Sequence, residues 1–323
     1  MDNLYWPVYK NLEKEFLKIA DYVHVSDEQL TVYSMHIADL IVRCAIEIES
    51  ISKELYCSLG GNMTPVDDEG KNRDLYFDTD CLQLIENTWL LSKKKINVCA
   101  INVYLVGEDK KILTPLHKSF KRGTSGSKWK QAYQALKHDR RNAIKQATIG
   151  NLLSALGALY ILNLYYKDET ANLGWLYMNN NDFDNRAGSE IFSAYVYRAT
   201  MLHMDTHMND DSIGNLGDVL EEAVFIKKYD EKTFKEMHKA FCLDNAETMK
   251  RFRQSPEIQK YMTEHQNEIG DRTINQICLA AGGEKLLTRI ISFSHTRKDN
   301  HGKAEVILNK HVEIYPELLP ISE

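Results

Sequence analysis

The chain is poor in proline and glycine, with 6 and 16 of 323 residues. That excludes a collagen-like or low-complexity protein. Apolar residues make up 43% and aromatics 10%, too much for an intrinsically disordered chain. Cysteine is sparse: Cys44, Cys57, Cys81, Cys99, Cys242 and Cys278. No two form a CxxC pair, so a zinc ribbon or thioredoxin-type redox motif has no support. Most sit among apolar residues, as small hydrophobes do, and reduced cysteines in the cytoplasm are expected. The start, MDNLYWPVYK, has no basic segment leading into an apolar run, so no secretory leader is expected. GxGxxG, GxxxxGK[ST] and GxSxG are all missing, which removes support for dinucleotide, P-loop and α/β-hydrolase chemistry. No cofactor is expected.

What is present is mostly helical periodicity. Residues 8–23 read as an amphipathic helix, and 34–56 as a stronger one. In the latter Ile37, Leu40, Ile41, Cys44, Ile48, Ile51 and Leu55 recur every three or four residues, and Gly60-Gly61 stops the run. A helix is expected at 79–93, with Asp78 or Thr79 as its N-cap. Helices also read at 127–138, 216–228, 231–241, 244–252, 255–268 and 271–293. Gln146–Tyr166 carries no charge and is long enough to span a membrane. Its Gln146, Asn151, Ser154 and Asn163 would be costly in lipid, so a buried central helix of about 141–167 is expected, with no membrane contact.

Alternating, β-branched stretches predict a hairpin at 98–106 and 110–114, a strand at 189–199 and a strand pair at 289–295 and 304–315. The fold class expected is mainly α (α+β), with a small antiparallel β component. A boundary is expected near 178, dividing 1–178, with its hairpin insertion, from an α+β region at 179–323.

The net charge of −6 hides a division. Between Gly107 and Lys145 there are eleven basic residues and three acidic, a surplus of eight, which leaves −14 on the rest. This segment holds a Gly/Ser loop, KRGTSGSK, and the aromatics Phe120, Trp129 and Tyr133. Cations attract phosphates and aromatics stack on unpaired bases, so Lys121, Arg122, Lys128, Trp129, Lys130 and Arg140 are expected to contact nucleic acid. The alternative is a solvated or protein-docking basic face. Within it, Lys137-His138-Asp139-Arg140-Arg141 places a general base beside cations, the two roles metal-free RNA cleavage needs. The alternative there is a surface ion-pair network.

The run Trp129-xxx-Tyr133-xxx-Lys137-His138-xx-Arg141 before an Ala/Leu-rich helix resembles bacterial proteins of the HEPN superfamily. The earlier helix, with Arg43, Glu47, Glu49 and Lys53, is similar to the acidic helix those proteins place upstream. The resemblance covers about residues 30–167. It implies a helical bundle, a homodimer, and RNA or nucleotide recognition with metal-independent endoribonuclease activity in bacterial defence or as a toxin. His138 would then be the general base, Lys137, Arg140 and Arg141 would hold phosphate, and Glu49 or Tyr133 would orient. The family's catalytic pattern is Arg, four to six residues, then His. No Arg stands so before His138, where Lys130 has seven residues between. Arg198 and His203 match the count. A non-enzymatic helical scaffold that docks a partner protein through the basic segment is the alternative function.

His203 and His207, with Asp205, Asp210 and Asp211 nearby, would share a helix face, but Glu is missing from the HExxH place and no metal site is expected.

Overall fold

The computed structural model describes residues 3–168, 171–174, 183–198, 220–229, 231–266, 272–295 and 304–310. The chain divides into two compact units. The first comprises 1–171, 183–228 and 306–323, and the second 172–182 and 229–305. A single cut near 178 therefore does not describe the division. The second unit is largely an insertion into the first.

The protein is mainly α, with short strands. In chain order the helices are α1 (Tyr5–Tyr22), α2 (Met35–Ser58), α3 (Gln83–Trp89), the single turn α4 (Glu108–Lys111), α5 (Lys128–His138), α6 (Arg140–Ala143), α7 (Ile149–Lys167), α8 (Glu231–Gln254), α9 (Pro256–Glu264) and α10 (Ile274–Ile290). The strands are β1 (Val25–Ser26), β2 (Ile96–Val98), β3 (Val103–Tyr104), β4 (Ile112–Leu113), β5 (Ala171–Gly174), β6 (Phe192–Ala194), β7 (Val196–Arg198), β8 (Phe225–Tyr229) and β9 (Ala304–Leu308).

In the first unit α2 packs along α7, the central helix. The expected apolar stripe of α2 is its buried face: Ile37, Leu40, Ile41, Cys44, Ile48 and Ile51 are all within 1% of fully buried. Ser34 caps its start by accepting from the Ile37 N–H. The uncharged stretch forms α7, capped by Thr148, and its residues Leu152 to Tyr165 are buried nearly all round. It is the one described helix long and apolar enough to cross a membrane, and it lies in the core of this unit. Gly157 lets β2 close on it. A Cβ there would lie 2.7 Å from Ile96 Cδ1 and 3.3 Å from Pro115 Cγ.

The predicted hairpin does not form. β2 pairs antiparallel with β4 on one side (Ile96 opposite Leu113) and with β6 on the other (Val98 opposite Phe192). β3 pairs parallel with β1 (Val103 opposite Val25). The Gly107 turn leads first into α4, since the Gly107 carbonyl accepts from Lys110 and Lys111, and the expected second strand is reduced to β4. The strand expected at 189–199 appears as β6 and β7, and β7 pairs parallel with β8. β8 occupies part of the helix expected at 216–228, and its start is preceded by a short 3₁₀ turn at Leu220–Glu222.

Glu13 on α1 is fully buried and gathers the segment before β6. It accepts from Tyr9 Oη at 2.9 Å, the Glu190 N–H at 2.8 Å and the Ile191 N–H at 3.1 Å, and it also bonds Ser189 Oγ and Lys10 Nζ.

The second unit packs α8, α9 and α10 around Phe252, Ile258, Ile277, Cys278, Leu286 and Ile290. The two helices expected at 231–241 and 244–252 are one, α8. Gly283 does not end α10 but kinks it, at φ 68° and ψ −165°. The strand expected at 289–295 is the end of α10 and irregular chain. Its expected partner is β9. His203, His207, Asp205, Asp210 and Asp211 lie outside the described residues, and with His203 goes one half of the Arg198/His203 match.

Candidate functional site

One cleft in the first unit has a volume of about 670 Å³. Its walls come from α2 (Glu49, Lys53), the segment Leu75–Asp78, the loop Arg122–Thr124, α5 (Lys130, Gln131, Gln134, Ala135, Lys137) and Gln146. That size is within the usual range for a small-molecule site.

The wall at Asp78 is built from the inside out. Residues Phe77–Leu82 form a π-helical turn that runs straight into α3. Such wide turns concentrate at functional sites. Asp78 is 6% exposed, and its carboxylate accepts from the Thr79 N–H at 2.8 Å, Lys130 Nζ at 3.2 Å and Arg122 Nε at 3.0 Å. Burial alone would raise its pKa, but those donors and charges bring it below the usual carboxylate range. Lys130, 3% exposed, also donates to the Ser119 carbonyl at 2.7 Å and to the Lys121 carbonyl. Burial lowers the Lys130 pKa and the Asp78 charge opposes that shift. Lys130 therefore ties the π turn to the segment 119–121. It is a strut under the cleft and not the exposed backbone contact its sequence position suggests.

Arg122 stands on this strut. Its Nε is held by Asp78, and its guanidinium lies over the Tyr76 ring, 3.7 Å from the centroid. Both Nη groups stay without a partner among the described residues. The guanidinium is thus fixed on one edge and one face, with its remaining donors open at the cleft wall.

Also lining the cleft, Glu49 and Lys53 are one turn apart on α2, so their side chains neighbour each other. Tyr133, 3% exposed, donates to Glu49 at 3.0 Å. Burial, and then the Glu49 charge, push the Tyr133 hydroxyl well above its ordinary pKa, so it remains a donor. Lys137 Nζ lies 5.6 Å from the Tyr133 ring centroid. Neither Lys53 nor Lys137 has an ion-pair partner among the described residues.

The structure thus gathers Glu49, Tyr133, Lys137, Lys130 and Arg122 around one cleft. His138 is exposed in a second, shallower cleft of about 440 Å³ with Asp139 and Asn142; the two share Gln134, Ala135 and Gln146. Asp139 caps α6 by accepting from the Asn142 N–H. Arg140 is paired with Asp39 at 2.8 Å, and Arg141 is exposed on α6 and lines neither cleft. Lys121 and Lys128 are exposed. Trp129 corrects its expected role: it is 1% exposed and donates Nε1–H to the Pro115 carbonyl at 2.8 Å, so no base can stack on it. Among the described residues no group of three His, Cys, Asp or Glu is placed to hold a metal.

Sequence reasoning misses Asp78 and Tyr76 as site residues. Asp78 reads there only as a helix cap, and its partners are 44 and 52 positions away, beyond any local pattern. Trp129 has a legible signal: Trp129, Ala132, Tyr133 and Leu136 repeat at helical spacing and form the buried face of α5. Compared with protein-family models, with curated proteins and with solved structures, the chain matches none.

Proposed function

We propose that the 670 Å³ cleft recognises the phosphate of an RNA or a nucleotide. The observation that carries this reading is Arg122. An arginine pinned by a buried carboxylate and an aromatic face has lost its freedom before any ligand arrives, and its open Nη pair matches two phosphate oxygens. Lys53 and Lys137 add charge to the same cleft. The local surplus of cations would draw in a polyanion. The resemblance to HEPN proteins is consistent with such a ligand, and would supply the defence or toxin setting and the homodimer.

Fluorescence anisotropy of a labelled eight-nucleotide RNA tests this. Binding should weaken steeply as salt rises, because phosphate contacts release counterions. Arg122→Ala should weaken it by about ten-fold or more, the worth of a charge-assisted bidentate contact. Affinity that ignores both salt and Arg122→Ala would end the proposal and favour the protein-docking scaffold.

Cleavage is the second part of the proposal, supported by His138 in the adjoining cleft. A strand held at Arg122 and Lys137 would continue past Gln134 toward the His138 imidazole, which would act as general base on a ribose hydroxyl. His138→Ala should then abolish cleavage while leaving binding in place, and intact cleavage by that variant would remove His138 from the mechanism.

A further inference from the structure

The lining of the cleft carries two kinds of chemistry. Of the two carboxylates lining the cleft among the described residues, Asp78 is taken up by Lys130 and Arg122. On α2, Glu49 has no ion-pair partner among the described residues, yet it is half-buried and oriented by the Tyr133 hydroxyl. An anionic ligand would be repelled by such a carboxylate unless it also offered donors there. A carboxylate has about four acceptor positions, and the Tyr133 bond uses one. The rest stay open, fixed in direction, at the edge of a cleft otherwise suited to phosphate.

A nucleotide offers two adjacent donors of the right kind in its vicinal 2′- and 3′-hydroxyls. We infer that Glu49 is a specificity-determining residue that accepts from both hydroxyls of a ribose, so that the cleft takes a ribonucleotide, or an RNA end, with an unblocked 2′,3′-diol. The inference rests on the phosphate-binding reading of the same cleft. Lys53, one helical turn from Glu49, places a cation next to the diol-binding carboxylate, which limits the repulsion between Glu49 and the ligand's phosphate. The volume, near 670 Å³, suits one nucleotide rather than a long strand lying flat. Tyr133 is a positioning residue: it aims Glu49 and touches no ligand in this arrangement.

Calorimetric titration of the full chain with adenosine 5′-monophosphate, its 2′-deoxy counterpart and adenosine 3′,5′-bisphosphate tests this. The expected result is that the ribonucleotide binds about ten-fold or more tightly than the other two, the scale of hydrogen bonds to a charged acceptor. Glu49→Gln should erase most of that preference while retaining the phosphate contribution of Arg122. Tyr133→Phe keeps the carboxylate and loses its orienting bond. It should reduce the ribo-to-deoxy ratio several-fold without changing the salt dependence, a readout that general loosening of the fold would not give. Equal affinity for ribo and deoxy forms, or a preference that survives in both variants, overturns the role of Glu49 and leaves the phosphate site standing. If none of the three nucleotides binds but the eight-nucleotide RNA does, the unblocked-end inference fails alone. If neither nucleotides nor RNA bind, the phosphate reading has failed first.

Discussion

Lys94 provides a stability prediction of unusual sign. It is 1% exposed, and its ammonium donates to the Glu221 carbonyl at 3.0 Å. Burial brings its pKa down to about 7, against the partial opposition of the Glu221 and Glu86 charges. In the unfolded chain a lysine titrates near 10.4. Below pH 7 both states carry the proton, and the folded state bears the full cost of the buried charge. Above pH 7 the folded state releases its proton while the unfolded state keeps it. Stability therefore rises with pH, and the gain from pH 6 to 8.5 is about 2 kcal/mol. Four cysteines act in the other direction. Cys44, Cys81, Cys99 and Cys278 have thiols raised by burial, so their contribution is present below the ordinary thiol pKa and lost as pH rises past it. Comparison with Lys94→Met removes them, because both proteins share those thiols. Urea unfolding followed by tryptophan fluorescence, at half-unit steps from pH 6 to 8.5, should show Lys94→Met the more stable at pH 6, with the gap closing by about 2 kcal/mol toward pH 8.5. A gap that stays constant over this range would show that Lys94 does not titrate as its burial requires.

Glu13 has a linkage of the same sign, set in the acidic range. Burial would raise its pKa, but the Lys10 and Ser189 bonds and the Glu190 and Ile191 N–H groups bring the net shift below the ordinary value, so its contribution is present above the unfolded glutamate pKa and disappears as pH falls through the folded one. Glu13→Gln should cost about 3–5 kcal/mol at pH 7, and in thermal melts the difference from wild type should shrink below about pH 4; a difference that persists at pH 3 would refute the charge-based account. Trp129→Ala should cost about 3–5 kcal/mol by opening a cavity, with RNA affinity per folded molecule unchanged; loss of affinity in a protein of wild-type stability would put Trp129 back at the interface.

The elements legible in the sequence are the ones whose signal is local and long. α2 and α7 bury faces or whole circumferences over five turns or more, and a stripe or an uncharged run of that length marks a core helix without help from distant residues. The β pairing is illegible because its strands have two to five residues, too few for alternation to register, and because β2 joins β6 from nearly a hundred positions away. The basic segment shows the same limit. Its charge is plain, but distant partners decide which cations face solvent: Asp78 takes Lys130 into the interior and holds Arg122 at the surface. Lys137 and Glu49 can be picked out from their neighbours in the chain, whereas Asp78 cannot. The chemistry of Trp129 suggests a stacking platform, while its spacing points inward, and the spacing decides.

The division of the chain has a consequence for synthesis. Asn309, after the whole second unit, donates to the Val224 carbonyl through its backbone and to the Leu220 and Ala223 carbonyls through its side chain, at 2.6 and 2.9 Å for the latter two. Tyr165 at the end of α7 donates to its carbonyl. On a ribosome emitting about 5–20 residues each second, the first unit would wait roughly 7 to 28 seconds after α7 emerges for these closing contacts. During that time the apolar circumference of α7 has only part of its cover. The α8–α10 bundle, by contrast, is nearly continuous in sequence and can close as it emerges. A nascent chain stalled shortly before Asn309 should therefore hold a folded insertion inside an unfinished host, and it is in that interval that a chaperone would find its grip on α7.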